Sequence, residues 1–113
     1  MASNQKNAKS IFPCTLVIQK SSKKKFKIPI DLAERFGDVD EKIRLKLNYD
    51  YFDHCSAFYE DVPFTSRTIA EVFIDGTGIN QKSTLGELGI FPGSQFTYVY
   101  DFGDCKTHKV SIE

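Results

Sequence analysis

Two short segments of the chain concentrate the side chains that could carry out chemistry. The segment YVYDFGDCKTH spans residues 98–108 and contains Asp101, Asp104 and His108, while Asp53 and His54 stand together in the earlier segment DYFDHCS. Carboxylates and imidazoles bind metal ions and transfer protons in catalysis. If the fold brings both segments to one place, these five residues would form a metal site or an acid–base site.

A purely structural role accounts for the same residues, and their pattern favours it. Asp101 and Asp104 flank Gly103, and in a hairpin turn aspartate accepts hydrogen bonds from local backbone N–H groups while glycine adopts positive φ. His54 and His108 would then be partly buried donors that tie strands together. The sequence therefore favours a non-enzymatic domain without a cofactor. An enzyme that uses the Asp/His cluster remains the alternative.

The three cysteines, Cys14, Cys55 and Cys105, give little support for other chemistry. An odd count without a signal peptide or a CxxC pair argues against a disulfide framework and a zinc ribbon, and it predicts a reducing, cytoplasmic compartment. Cys105 and His108 lack the third group that a nucleophilic site needs. The tripeptide DFG stands alone, without the other kinase motifs. The apolar runs are too short to span a bilayer.

The charges are unevenly distributed along the chain. The net charge is zero, yet residues 1–30 carry seven lysines and no acid, and the remaining 83 residues carry eight basic and fifteen acidic groups. A basic segment of this kind is typical of contacts with an anionic partner, although surface lysines are also common without one. The lysines predicted to contact nucleic acid are Lys20, Lys23, Lys24, Lys25 and Lys27.

The elements that must position these residues can be predicted from periodicity. Residues 1–10 carry no apolar pattern and are expected to be disordered, and residues 11–113 are expected to form one domain. Alternating apolar residues predict a hairpin whose strands flank the turn SSKKK at 21–25. Asp31 is a candidate N-cap for a short helix that Gly37 would end, and a longer helix is expected over 39–48.

The sequence of the second half of the chain predicts mainly β-strands. Strands are expected around 56–60, 68–74, 95–101 and 106–113, with His108, Val110 and Ile112 on one face of the last. Ser83 is a candidate N-cap for a one-turn helix that ends at Gly89. The predicted fold class is α+β: a single, mostly antiparallel or mixed sheet of about five or six strands with one main helix, for which a β-grasp-like arrangement is compatible.

The C-terminal third, STLGELGIFPGSQFTYVYDFGDCKTHKVSIE, resembles the plasmid pRiA4b ORF-3-like family, which includes TnpR-type passenger proteins of insertion elements. The residues that match the family pattern there are Thr84, Leu85, Glu87, Leu88, Gly89, Gly93, Phe96, Tyr98, Tyr100, Asp101, Phe102, Gly103, Asp104 and His108. The segment DHCSAF adds matches at Asp53, His54 and Phe58, and FKIPID echoes a further family segment. The tryptophan that usually follows DFGD is missing, so the chain resembles a divergent member.

The resemblance implies a small domain of undefined biochemical activity that is associated with plasmids and mobile elements. That context is compatible with nucleic-acid binding but is not a mechanism. The segment STLGELGIFPGSQ is also similar to the last turn of ubiquitin-like domains, which implies protein–protein interaction. We therefore expect an intracellular binding module whose partner is nucleic acid or another protein.

Overall fold

In the computed structural model, which describes residues 12–49 and 54–113, the chain forms a six-stranded antiparallel sheet with one α-helix. The elements are β1 (Pro13–Ser21), β2 (Lys24–Asp31), α1 (Phe36–Leu47), β3 (Ser56–Tyr59), β4 (Thr68–Val72), a 3₁₀ turn (Gly86–Leu88), β5 (Gln95–Tyr100) and β6 (Lys106–Ile112). The predicted α+β class is confirmed. The prediction for residues 1–10 lies outside the described residues.

The strand order is β2-β1-β6-β5-β3-β4. Every strand pairing within the described ranges is antiparallel, so the mixed, β-grasp-like form of the prediction does not describe this sheet. The outer strand β2 carries lysines and Pro29, which are typical of an edge that resists pairing with other chains. In the part of the chain that the structure describes, no helix is long and apolar enough to cross a bilayer.

Helix α1 and the sheet enclose the main core on one side of the sheet, which we call the helix face. Alternation along each strand sends every second side chain to this face, and the core consists mainly of Leu16, Ile18, Ile28, Ile30, Phe36, Val39, Ile43, Leu47, Phe58, Leu85, Phe96, Tyr98, Val110 and Ile112. On the opposite side, the second face, the described residues form a small buried hydrophobic cluster of Ala57, Tyr59 and Val99. The hairpin and the expected apolar face of β6 are confirmed.

The helical predictions between 31 and 48 are partly wrong. No short helix follows Asp31, because its carboxylate accepts hydrogen bonds from the backbone N–H groups of Phe12 and Ala33 and holds a turn instead. Helix α1 begins at Phe36, earlier than predicted, because backbone carbonyls of Gln81 and Ser83 accept its first N–H groups.

The helix start predicted at Ser83 is displaced by one residue. Thr84 and Glu87 form the reciprocal pair of hydrogen bonds, in which each side-chain oxygen accepts from the other residue's backbone N–H. Gly89 ends the turn with φ of 80°, as predicted. The cap therefore uses the neighbouring hydroxyl, and Leu85 between the two partners is fully buried in the core.

Candidate functional site

The turn between β5 and β6 holds the two aspartates of the DFGD segment. Oδ1 of Asp101 accepts hydrogen bonds from the backbone N–H groups of Gly103 at 3.1 Å and Asp104 at 3.4 Å. Positive φ occurs at Asp101 (66°) and Cys105 (52°), and not at Gly103 as the sequence suggested. Aspartate tolerates this conformation because its short side chain bonds the local backbone. The turn thus uses one of its aspartates as a structural acceptor.

His54 and Asp104 lie around the same turn but make separate contacts. Nδ1 of His54 is 3.6 Å from Oδ2 of Asp101, and Nζ of Lys106 donates to Asp104 at 2.7 Å. Asp53 lies outside the described residues. Within the described ranges, no group of three or more His, Cys, Asp and Glu side chains is placed to hold a metal ion.

His108 stands apart from the turn, on the helix face of β6. Its Nδ1 lies 2.9 Å from the carbonyl oxygen of Gln19 and its Nε2 lies 2.6 Å from the hydroxyl of Tyr49. A carbonyl only accepts, so Nδ1 donates and Nε2 accepts from the tyrosine. Burial lowers the pKa of His108, with Lys20 adding to the effect and the bond to Gln19 opposing it. Both ring nitrogens are therefore committed to holding β6, β1 and the segment after α1 together.

A buried polar network that the sequence reasoning missed lies between α1 and the sheet. Asp40 and Arg44 are one turn apart on α1, and each side chain is no more than 4% exposed. Oδ2 of Asp40 is 2.8 Å from Nε of Arg44. Oδ1 accepts from the hydroxyls of Ser56 at 2.5 Å and Tyr98 at 2.7 Å. Nη2 of Arg44 donates to Ser56 at 2.9 Å. The network joins the helix to β3 and β5.

The electrostatics of this network follow from its burial. Burial raises the pKa of the Asp40 carboxyl, opposed by the Arg44 charge and by hydrogen bonds from Ser56, Tyr98 and Arg44. Burial, reinforced by the Asp40 carboxylate, raises the pKa of the Tyr98 phenol well above its ordinary value. The Arg44 guanidinium also lies over the Tyr100 ring, 5.0 Å from its centroid. Such an enclosed, mutually bonded set is suited to fixing the helix on the sheet.

A sequence signal for the network does exist. The apolar stripe of α1 runs through Phe36, Val39, Ile43 and Leu47, and the buried residues of the helix include the charged pair at positions 40 and 44. An acid and a base spaced i, i+4 within a buried stripe must neutralise each other, because an isolated buried charge is very costly. Their partners Ser56 on β3 and Tyr98 on β5 are brought to them by the tertiary fold, and no local sequence pattern identifies these two residues.

The five predicted contact lysines are divided between the two sides of the first hairpin. Lys20 and Lys24 lie on the helix face, where each Nζ is 6.0 Å from the centroid of Phe26. Lys25 pairs with Gln19 and Lys27 with Val17 on the second face, and Lys27 lies 3.7 Å from the Glu113 carboxylate. Lys23 occupies the exposed turn. The five do not form one surface.

A lysine from outside the hairpin completes the helix-face group. Lys46, near the end of α1, places its Nζ 5.6 Å from the same Phe26 ring. Lys20, Lys24 and Lys46 are exposed and form no ion pair with any carboxylate among residues 12–49 and 54–113. We call these three lysines and Phe26 the basic cluster. Sequence reasoning missed Lys46 because its position beside the hairpin depends on how α1 packs.

Comparison with known proteins defines the fold and no more. No protein-family model matches the chain, and no curated protein matches it. The chain is similar to the crystal structure of the protein of unknown function MM3350 from Methanosarcina mazei Go1, with a TM-score of 0.64 and 22% sequence identity. The match covers 93% of this chain and 62% of that chain, so the chain spans less than two thirds of that protein. At this level of identity, the similarity shows a shared fold.

Proposed function

We propose that the protein is a non-enzymatic nucleic-acid-binding module that contacts the phosphate backbone through the basic cluster. The observation that carries this proposal is the convergence of Lys20, Lys24 and Lys46 on one aromatic ring, without a neutralising carboxylate in the described part of the chain. Lys23 extends the positive surface into the adjoining turn. Phosphate contacts by lysine provide affinity without sequence preference.

The spacing of the three ammonium groups supports an anionic partner. Each lies within 6.0 Å of the Phe26 centroid, so no two are more than twice that distance apart. Because that limit is only moderately longer than the Debye length, about 8 Å at physiological ionic strength, salt screens the repulsion among the three charges only in part. The ring offsets part of this repulsion by cation–π attraction. A polyanion that bridges the lysines would remove the rest.

We also propose that the chain is a divergent member of the pRiA4b ORF-3-like family, on the strength of the matched segment 83–113. The matched residues that the fold uses have architectural roles: Leu85 is in the core, Gly89 and Gly93 have positive φ, Tyr98 belongs to the buried network and Asp101 supports the turn. These roles support the interpretation that the matched segment 83–113 identifies proteins that share this fold. The association of the family with mobile elements accords with nucleic-acid binding.

Fluorescence anisotropy with labelled single-stranded DNA, duplex DNA and RNA, measured over a range of salt concentrations, tests the proposal. We expect affinity to fall steeply with salt. The variant K20Q/K46Q should weaken binding for all sequences and reduce the slope of log K against log salt by about 2. The control K82Q/K109Q removes the same charge at two exposed lysines outside the basic cluster, of which Lys109 lies on the second face, and should leave the slope nearly unchanged.

Two results would overturn the proposal. The first is the absence of binding even at low salt. The second is equal weakening by K20Q/K46Q and the control pair, which would reduce the interaction to overall charge. In either case, Lys24 and its neighbours would be assigned to protecting the β2 edge, where lysines discourage strand pairing, and a protein partner would become the leading alternative.

A further inference from the structure

The second face of the sheet carries a cleft of about 510 Å³, within the usual range for ligand pockets. Its floor includes Gln19 of β1, Gln95 and Thr97 of β5, and Ser111 of β6. The sheet register fixes their positions, since Gln95 pairs with Ser111 and Thr97 pairs with Lys109. We call this space the second-face cleft. It is separate from the basic cluster, which lies on the helix face.

The polar side chains of the floor make no hydrogen bond to any residue that the structure describes. Thr97 is only 4% exposed, yet its hydroxyl makes no hydrogen bond in the described part of the chain, and neither do the side chains of Gln19, Gln95 and Ser111. The hydroxyl oxygen of Thr97 is not among the buried polar atoms that lack a partner, so it is accessible from the cleft. An accessible hydroxyl without a protein partner can hydrogen-bond a bound molecule.

Charges of opposite sign flank this floor. Lys25 and Lys109 line the cleft on the side of β2 and β6, and Glu60 and Asp61 line it just beyond the end of β3. Lys25, Lys109 and Asp61 form no ion pair with any described residue, whereas Glu60 is held by Arg67 at 2.6 Å. The open charges are therefore two ammonium groups on one side and the Asp61 carboxylate on the other.

The spacing between β6, which carries Lys109, and β3, which leads to Asp61, sets the approximate size of a matching ligand. Thr97 pairs with Lys109 on one side and with Tyr59 on the other, so β6 and β3 are two strand spacings apart, about 10 Å. An extended peptide covers about 3.3–3.6 Å per residue, so about three residues span this distance. The carboxylate of Asp61 disfavours a nucleotide, and the polar floor disfavours a lipid.

We propose that the second-face cleft binds a short zwitterionic peptide of about three residues, with its carboxylate at Lys25 and Lys109 and its ammonium group at Asp61. Thr97 and Ser111 would hydrogen-bond the peptide backbone from below. The two glutamines would close the sides of the peptide. The site is independent of nucleic-acid binding at the basic cluster.

Titration of the ¹⁵N-labelled full chain with unblocked trialanine, followed by NMR, tests the site directly. We expect saturable shifts confined to residues of the cleft. Acetylation of the peptide amine or amidation of its carboxylate should weaken binding at least about tenfold, because each removes one charge contact. The variants D61N and K109Q should weaken binding of the unblocked peptide similarly, and the control K82Q should bind like the unmodified chain.

Each alternative result contradicts the proposal. Absence of saturable shifts at millimolar trialanine would overturn it, as would shifts located elsewhere on the chain. Equal binding of the blocked and unblocked peptides would remove the charge argument. Shifts of the same residues by inorganic phosphate alone, at similar concentration, would reduce the cleft to a simple anion site. Melting temperatures of D61N and K109Q serve as the folding control. Values close to that of the unmodified chain would show that these variants lose binding without losing the fold.

Discussion

The two faces of the sheet use buried polar groups in opposite ways. On the helix face, Ser56 is fully buried, and its hydroxyl donates to Asp40 and accepts from Arg44. On the second face, Thr97 is almost as deeply buried, and its hydroxyl has no partner in the described part of the chain. Both residues lie on neighbouring strands of the same sheet. A polar group that is buried and bonded fixes the fold, whereas an unbonded hydroxyl that is accessible from a cleft can bond a molecule there.

The same contrast separates the charged groups. Arg44 and Asp40 neutralise each other inside the protein, so neither is available to a ligand. Lys20, Lys24 and Lys46 converge in solvent without a described counter-ion. On the other side of the sheet, Lys25 and Lys109 line one cleft, also without a described counter-ion. On the proposals made above, the unpaired charges serve binding, whereas the paired charges of the network hold the fold. Changing members of each class and measuring stability tests this division.

Arg44→Met should produce the largest loss of stability. It leaves the Asp40 carboxylate buried without its counter-ion, and breaking one side of a buried ion pair costs about 3–5 kcal/mol. The free energy of unfolding from a urea titration measures this loss. The double variant D40L/R44M removes both charges and should recover most of it. A double variant as unstable as the single one would show that the pair contributes more than mutual neutralisation.

Ser56→Ala and Ser111→Ala form a matched pair across the sheet. Ser56→Ala leaves Asp40 and Arg44 each without one buried partner and should cost about 1–3 kcal/mol. Ser111→Ala removes a hydroxyl that bonds nothing described and should change stability by less than about 0.5 kcal/mol. Parallel urea titrations compare the two directly. Equal losses would erase the distinction between the faces.

The sequence predicted the elements of this fold better than it predicted the contacts between them. Alternation identified the hairpin and β6 because burial on one face imposes a period of two. The turn after Asp31 escaped prediction because the carboxylate bonds the N–H of Phe12, which is distant in sequence. The start of α1 escaped for a similar reason, since carbonyls of Gln81 and Ser83 replace a local cap.

Sites are harder to predict because they combine residues from several elements. The sequence grouped His54, Asp101, Asp104 and His108 by residue type, and the fold places His108 on the helix face with both ring nitrogens bonded. It grouped five lysines by proximity along the chain, and strand alternation divides them between two faces. Lys46 joins them only because α1 packs beside the hairpin. Residue type and spacing suggest possible chemistry. The contacts that each side chain makes in the folded protein decide whether it remains free to bind a ligand.

His108 provides the finest test, because a change of pH alters the charge of its buried ring without changing the sequence. Its pKa is lowered in the folded chain, mainly by burial, so the unfolded chain binds the proton more readily. Stability should therefore be fully present above the ordinary histidine pKa of 6.5 and decline as the pH falls through the lowered value in the folded state. The added proton would occupy Nε2, which would then donate to the Tyr49 hydroxyl instead of accepting from it, while Nδ1 still donates to Gln19. The cost of protonation therefore comes mainly from burying the charged ring.

Thermal melts of the unmodified chain between about pH 7.5 and 5.5, a window that spans the ordinary histidine pKa, should show this decline. His108→Gln should flatten it, since an amide does not titrate there. His54→Gln provides the control, because His54 is partly exposed and lies at the β5–β6 turn rather than in the core. If His54→Gln flattened the decline and His108→Gln did not, the acid-sensitive contact would lie at the DFGD turn. Among the polar contacts of the helix face, the Asp40–Arg44 network and not His108 would then be the main contributor to stability.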